Sequence, residues 1–382
     1  MKRFSFLTTC SLCLAFSQAV QAQFFTYEIE SMTATDIGTL GGEEASAMDI
    51  NDLGQMTGWA MLADGTSHAF LYSNGSMVDV TPSFATMKSM GRGINNNAEI
   101  VGKYDQPVGN TIVYKPFYWS QYEVTPKTLA MVGGFTEAIA INDNGLIVGG
   151  AYGDWGDACG FKSYAVRWQN AYLPIEKLYC PGFNLTITRA TDVNNAGAVS
   201  GFHNQDSQAG WVWTDANSWP PYVPPLAEPT CKSWAHGLNA SGDVAGMVET
   251  CAVYNKTRAI FWDGVSGTSR DLGFLPGGER SDAREVNDQK FVAGYSEAHV
   301  LTSATTFATR DRAFIWHTHF GMKALPIPPG VGAGAASCRA WSLNNRIAST
   351  GLIQVVGLCT VNGKSRAVRW NVVVRKKLLN FP

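Results

Sequence analysis

Ala47-Met-Asp-Ile50-Asn51-Asp-Leu-Gly54-Gln-Met-Thr-Gly58 is a short apolar run, a tight-turn tetrapeptide and a second short run ending in glycine. The same phrase returns six more times along the 382 residues. Aligned on the asparagine, the copies fall at Asn51, Asn95, Asn142, Asn194, Asn239, Asn287 and Asn344. The residue before it is always aliphatic: Ile50, Ile94, Ile141, Val193, Leu238, Val286, Leu343. The residue four before it is always small: Ala47, Gly91, Ala138, Ala190, Ala235, Ala283, Ala340. Seven residues after it comes glycine in the first six copies: Gly58, Gly102, Gly149, Gly201, Gly246, Gly294. Each copy then closes on an aromatic ring: Tyr72, Trp119, Trp168, Trp213, Trp262, Trp316, Trp370. Six of the twelve tryptophans occupy that one position.

Asn-Asp-Leu-Gly and its relatives are turn sequences. Asparagine tolerates left-handed backbone, and glycine takes a positive φ without steric penalty. Short apolar runs on both sides predict a β-hairpin. A third run, such as Ala69-Phe-Leu-Tyr72, predicts a third strand, and Met77-Val-Asp-Val80 a fourth. Successive asparagines stand 44, 47, 52, 45, 48 and 57 residues apart. Units of ~40–50 residues with four short strands each are propeller blades. One such unit cannot bury both faces of its sheet, so blades stack radially and the ring closes. The expectation is an all-β fold, a seven-bladed β-propeller of seven four-stranded repeats. Tyr27-Glu-Ile-Glu-Ser-Met32 reads as the strand that zips onto the last blade.

The first copy runs Asp36-Ile-Gly-Thr-Leu-Gly-Gly42, then Ala47 to Gly58, then His68-Ala-Phe-Leu-Tyr72. In this the chain resembles the bacterial extracellular HAF-repeat proteins. Later copies keep the skeleton and lose the histidine, as in Arg258-Ala-Ile-Phe-Trp262. The resemblance covers nearly the whole chain after residue 22. It implies an exported β-repeat protein and carries no established activity or catalytic residue.

Residues 1–22 read as a secretory signal. Lys2 and Arg3 give a charged start, Phe4 to Phe16 an apolar stretch, and Val20-Gln21-Ala22 a small-residue cleavage site. The apolar stretch is too short to span a bilayer. Residues 23–382 are then expected to form a single β-propeller domain, exported to periplasm or medium, and monomeric. The net charge is −2, and Arg375-Lys-Lys377 is the sole basic run, which argues against nucleic acid as a partner. Long connections follow the hairpin glycine at 103–115, 150–163 and 295–312. In the seventh copy the turn itself is enlarged, and Gln354-Val-Val-Gly357 restores the second-strand pattern.

Six cysteines follow the signal: Cys159, Cys180, Cys231, Cys251, Cys338 and Cys359. An even number in an exported chain suggests disulfides. Each of Cys231/Cys251, Cys338/Cys359 and Cys159/Cys180 lies nearly symmetrically about a predicted turn, at separations of 20, 21 and 21. Strand neighbours of that kind come within bonding range. A cysteine metal site has no CxxC or Cys–His cluster behind it.

Catalytic patterns are missing from the sequence. There is no Gly-x-Ser-x-Gly elbow, HExxH, P-loop or calcium-loop spacing. His317-Thr-His319 could hold zinc from one strand face, but its place after Trp316 reads as a solvated turn. His68 reads as packing at a strand start. No cofactor and no metal are expected. What remains is the channel mouth, where inner strands begin. Five residues before each asparagine stand Ser46, Met90, Glu137, Arg189, Trp234, Asp282 and Arg339, with Arg92 and Arg284 nearby. The charged and aromatic members, Arg92, Glu137, Arg189, Trp234, Asp282, Arg284 and Arg339, suit a polar ligand, a saccharide or a protein partner. The competing readings are a glycan hydrolase or lyase using paired acids such as Glu137 and Asp282, and a purely structural surface protein.

Overall fold

A computed structural model describes residues 25–84, 86–156, 161–178, 187–204, 209–215, 230–250, 256–303, 305–332 and 334–379. Each repeat opens on an inner strand: Gly41–Ile50, Ser89–Ile94, Phe135–Ile141, Ile187–Val193, Thr230–Leu238, Ser281–Val286 and Ala336–Leu343. Each inner strand pairs antiparallel with the strand that follows the asparagine turn. The fold is an all-β, propeller-like arrangement. Among the described residues no helix is long and apolar enough to cross a membrane.

The expectation of seven separate four-stranded sheets is corrected. Among the described residues, hydrogen bonding gathers the strands into five sheets, four of them four-stranded and one eleven-stranded. The large sheet takes in the second, third and fourth repeats. It is continuous because a parallel bridge joins Tyr114 to Phe135 and another joins Ser163 to Ile187. At both places the third strand of one repeat begins far enough out to meet the inner strand of the next.

What links all seven repeats is the asparagine itself. Asn51 Nδ2 donates to the Asn95 carbonyl at 2.9 Å, Asn95 to Asn142 at 2.9 Å, and Asn142 to Asn194 at 2.9 Å. Asn194 donates to Asn239 at 3.0 Å, Asn239 to Asn287 at 3.1 Å, Asn287 to Asn344 at 3.0 Å, and Asn344 back to Asn51 at 3.4 Å. Meanwhile Asn51 Oδ1 accepts the main-chain N–H groups of Leu53 and Gln55 and so closes its own turn. A primary amide can donate across the ring from its nitrogen while its oxygen accepts within the turn. The left-handed backbone falls three residues later, at Gly54, Ala98, Gly145, Gly197, Gly242 and Lys290. The asparagine is therefore selected for its hydrogen bonds and not for its φ.

The hairpin glycine has a different cause. A Cβ on Gly58 would overlap the Ser46 carbonyl oxygen, and one on Gly357 the Arg339 carbonyl. Gly357 pairs with Ala340, the register that the seventh repeat's sequence implied. The strand Phe25–Asp36 pairs antiparallel with Lys364–Leu378 and so joins the chain's start to its last repeat. The connections at 103–115 and 295–312 are ladders and not irregular loops. Ile100–Val108 pairs with Thr111–Trp119, and Val292–Leu301 with Phe307–His317.

Cys338 and Cys359 face each other across the last repeat's ladder and form a disulfide with Cα atoms 4.0 Å apart. The pairs Cys159–Cys180 and Cys231–Cys251, like residues 1–22, lie outside the described residues and side chains.

Candidate functional site

Every inner strand slips register at the same place. The slip lies between Ala47 and Asp49, Gly91 and Gly93, Ala138 and Ala140, Ala190 and Asp192, Ala235 and Gly237, Ala283 and Glu285, Ala340 and Ser342. The extra residue of such a bulge is unpaired, and its side chain is re-aimed. Here the extra residues are Met48, Arg92, Ile139, Thr191, His236, Arg284 and Trp341. All seven line one channel cavity of about 350 Å³. Arg189 and Phe202 join them, and Asp49, Asp192, Glu285 and Ser342 line it too. A second cavity of about 200 Å³ opens at the asparagine end and shares those last four residues. The level where the two cavities meet, here called the waist, thus carries three carboxyl groups.

Above the waist the site is cationic. Glu137 bridges two guanidiniums, with Oε2 3.6 Å from Arg92 and Oε1 2.5 Å from Arg189. Asp282 lies 3.2 Å from Arg284 and 3.3 Å from His236 Nε2, and it accepts the Tyr295 hydroxyl at 3.0 Å. Arg284 also sits 5.0 Å over the Trp341 ring. Three guanidiniums face two carboxylates, which leaves excess positive charge. Burial pulls Arg92 below the ordinary arginine value, against Glu137, and the Arg189 and Arg284 charges add to it. Burial works against the charge of Arg284 too, but Asp282 and Tyr295 outweigh it and raise the group. For Asp282 burial would raise the carboxyl, yet Arg284 and His236 prevail and hold it below the carboxylate range. His236 is lowered by burial and then by Arg284, so it is a neutral imidazole at pH 7.

At the waist the shifts reverse. Burial raises Asp49. Asp192 is pushed up to about 7 by burial, with the Asp49 charge adding to it. Glu285 rises well above the usual range through burial and the charges of Asp192 and Asp49.

Of the residues expected at the mouth, Arg92, Arg189 and Arg284 line the cavity. Glu137 and Asp282 hold those guanidiniums by ion pairs. Arg339 is turned elsewhere: its Nε donates to Asp311 at 2.7 Å and its guanidinium covers the Tyr295 ring at 4.7 Å. Trp234 is half-buried on its strand and is not among the cavity's lining residues. Sequence reasoning missed Asp49, Asp192, Glu285 and His236. The signal was present two residues before each asparagine, where Asp49, Gly93, Ala140, Asp192, Gly237, Glu285 and Ser342 include no large apolar side chain. An unbroken strand would send that position to the opposite face from the bulged residue, so strand alternation hid it.

The other histidines have structural contacts. His68 is buried, with Nδ1 2.7 Å from Asp79 Oδ2. His317 does not lie in a solvated turn; it ends a strand, buried against Phe291 with ring centroids 4.4 Å apart. Its Nδ1 accepts the His319 N–H, and His319 Nδ1 accepts the Tyr27 N–H at 2.9 Å, which ties the closing strand down. Among the described residues no group of three or more His, Cys, Asp or Glu side chains is arranged to hold a metal.

No protein-family model matches the chain, and no curated protein matches its sequence. Solved structures do match its fold. An oligogalacturonate lyase from Vibrio parahaemolyticus is similar at 9% identity and a TM-score of 0.56, covering 91% of this chain and 97% of that one. An oligogalacturonate lyase in complex with manganese gives 11% identity, a TM-score of 0.52, and 94% and 97% coverage. A puromycin-hydrolyzing peptidase from Mycobacterium tuberculosis gives 11% identity and a TM-score of 0.49 over 78% of this chain; the match spans about half of that protein, 47%. At these identities the likeness is one of propeller fold alone.

Proposed function

We propose that the protein is an exported seven-bladed propeller of the HAF-repeat type that binds a small carboxylate-bearing ligand in its central channel. The carrying observation is a set of donors without acceptors. Arg92 Nε, Arg284 Nε and Trp341 Nε1 are buried and have no hydrogen-bond partner among the described residues, and all three side chains line the 350 Å³ cavity. Buried donors left unpaired are costly, and these three belong to side chains that line the cavity. Guanidinium forks match carboxylate geometry, and three of them, Arg92, Arg189 and Arg284, line this one cavity.

The count of seven rests on the closed asparagine ring, with the eleven-stranded sheet taken as three blades joined by single bridges. Export is supported by the signal-like start of the chain and by the Cys338–Cys359 disulfide, which suits an oxidising compartment. The ligand class we favour is a sugar acid, since a fold neighbour acts on oligogalacturonate. In our reading the site binds and does no chemistry. One observation favours a second reading, a lyase: neutral His236 and Asp192, with a pKa of about 7, stand beside a guanidinium clamp, as a proton-abstracting base would.

Titration calorimetry with D-galacturonate tests this. Saturable binding is expected, with galactose, which lacks the carboxylate, inert. Arg284→Gln should weaken binding by about thirtyfold or more, the ~2 kcal/mol or more typical of a lost buried charge contact. A variant that binds as well as the wild type, or equal binding of galactose, contradicts the proposal. Growth of the ultraviolet band of an unsaturated uronate on oligogalacturonate would move the conclusion to the lyase.

A further inference from the structure

The carboxyl groups at the waist are fixed in place by main chain. Asp49 accepts the N–H of Ile50 at 2.8 Å and that of Ile94, in the next repeat, at 2.8 Å, and Ser342 Oγ donates to it at 2.7 Å. Asp192 accepts Val193 N–H at 2.8 Å and Leu238 N–H, again in the next repeat, at 2.9 Å. Glu285 accepts Val286 N–H at 2.9 Å. All three line the cavity that holds the guanidiniums. Each lines the cavity and is held by main-chain N–H donors, so a charge that enters the cavity acts on these groups and shifts their protonation.

We propose that binding of a carboxylate ligand in the channel is coupled to uptake of a proton by the three carboxyl groups at its waist. This rests on the channel-binding reading above. A ligand anion brings negative charge into the cavity that Asp49, Asp192 and Glu285 line, which raises their proton affinity; by linkage, protonating them strengthens ligand binding. The proton comes from solvent, and one carboxylate becomes a neutral acid.

The other charged groups facing the channel do not compete for that role. From Ser89–Ile94, Phe135–Ile141 and Ile187–Val193 come Arg92, Glu137 and Arg189, locked in one ion-pair cluster. From Thr230–Leu238 comes His236, held neutral at pH 7 by burial and Arg284. From Ser281–Val286 come Arg284 and Asp282, the latter held ionised. Tyr295, behind them, is raised by burial and then by Asp282, so it keeps its proton. Ala336–Leu343 contributes Trp341 and Ser342, which do not titrate, and an Arg339 paired with Asp311.

The test is calorimetry of wild-type protein with D-galacturonate, which is ionised throughout, in two buffers of different ionisation enthalpy. At about pH 8 the expected uptake is roughly one proton per ligand, with Kd rising about tenfold per pH unit above about pH 7. The double variant Asp192→Asn with Glu285→Gln, which keeps only Asp49, should take up markedly less than the wild type and show a shallower rise of Kd with pH. Wild-type uptake in the variant overturns the coupling. Binding without proton uptake overturns the coupling and leaves the channel reading intact. Absence of binding from about pH 5 to about pH 8 overturns both. Should the double variant fail to fold, the infrared band of a protonated carboxyl group in wild-type protein decides. It should grow on adding galacturonate at about pH 8, and a band that does not grow overturns the coupling.

Discussion

The half-buried carboxyl group of Asp192 lines the channel, and its pKa of about 7, raised by desolvation, has a thermodynamic consequence. A group whose folded-state pKa lies above its unfolded value binds protons more tightly when folded. The stability it contributes is present in full below about pH 4 and is lost as pH rises through about 7. Denaturant titrations of ligand-free protein should therefore show stability falling between about pH 5 and about pH 8, by on the order of a few kcal/mol. Asp192→Asn should flatten that slope, at the cost of one of the two main-chain hydrogen bonds the carboxylate accepts. A slope unchanged in the variant would place the proton elsewhere. Asp192 also shows what sequence hides at this scale. Its identity is plain, but its direction depends on a bulge, and strand alternation points it the wrong way. The repeat asparagine was legible as a turn residue, while its bond to the next repeat is a long-range fact that no local pattern contains.

Among elements, hairpins and their order were readable because apolar runs and turn tetrapeptides alternate on a fixed period. The Cys338–Cys359 pair was readable for the same reason, since symmetry about a turn implies facing positions on a ladder. Both cysteines are buried, at 2% and 0% exposure, and they tie the inner strand of the seventh repeat to its neighbour. Replacing both by alanine should lower stability by ~3 kcal/mol on the chain-entropy estimate for a loop of this length. The guanidinium midpoint checks this, and reductant should reproduce the shift in the wild type. An unchanged midpoint would mean that the ladder alone holds these strands. The bulges were not readable. They need a residue-by-residue count of partners, and the same slip in all seven inner strands carries Arg92, His236 and Arg284 into one cavity. The long ladders at 100–119 and 292–317 were mistaken for loops because their outer halves carry polar, alternating sequence that no core contact demands.

For the whole molecule, a repeat count and a sheet count are different quantities. The asparagine ring has seven members and closes on itself, whereas hydrogen bonding divides the strands of the described residues into five sheets. Sequence period reports the first and is blind to the second, since single bridges such as Tyr114–Phe135 depend on how far a strand runs. The same separation holds for function. A ring of near-identical turns builds the scaffold, and the residues that differ from repeat to repeat face the channel. The charge laid down there, guanidiniums above and carboxyl groups at the waist, is what should select a ligand. A heavy-atom carboxylate locates that selection directly. Crystals soaked with 4-bromobenzoate, whose aryl bromide does not alkylate side chains, should give a bromine anomalous peak inside the channel, flanked by Arg92, Arg189 and Arg284. A well-occupied peak elsewhere on the surface with none in the channel would contradict carboxylate binding at this site.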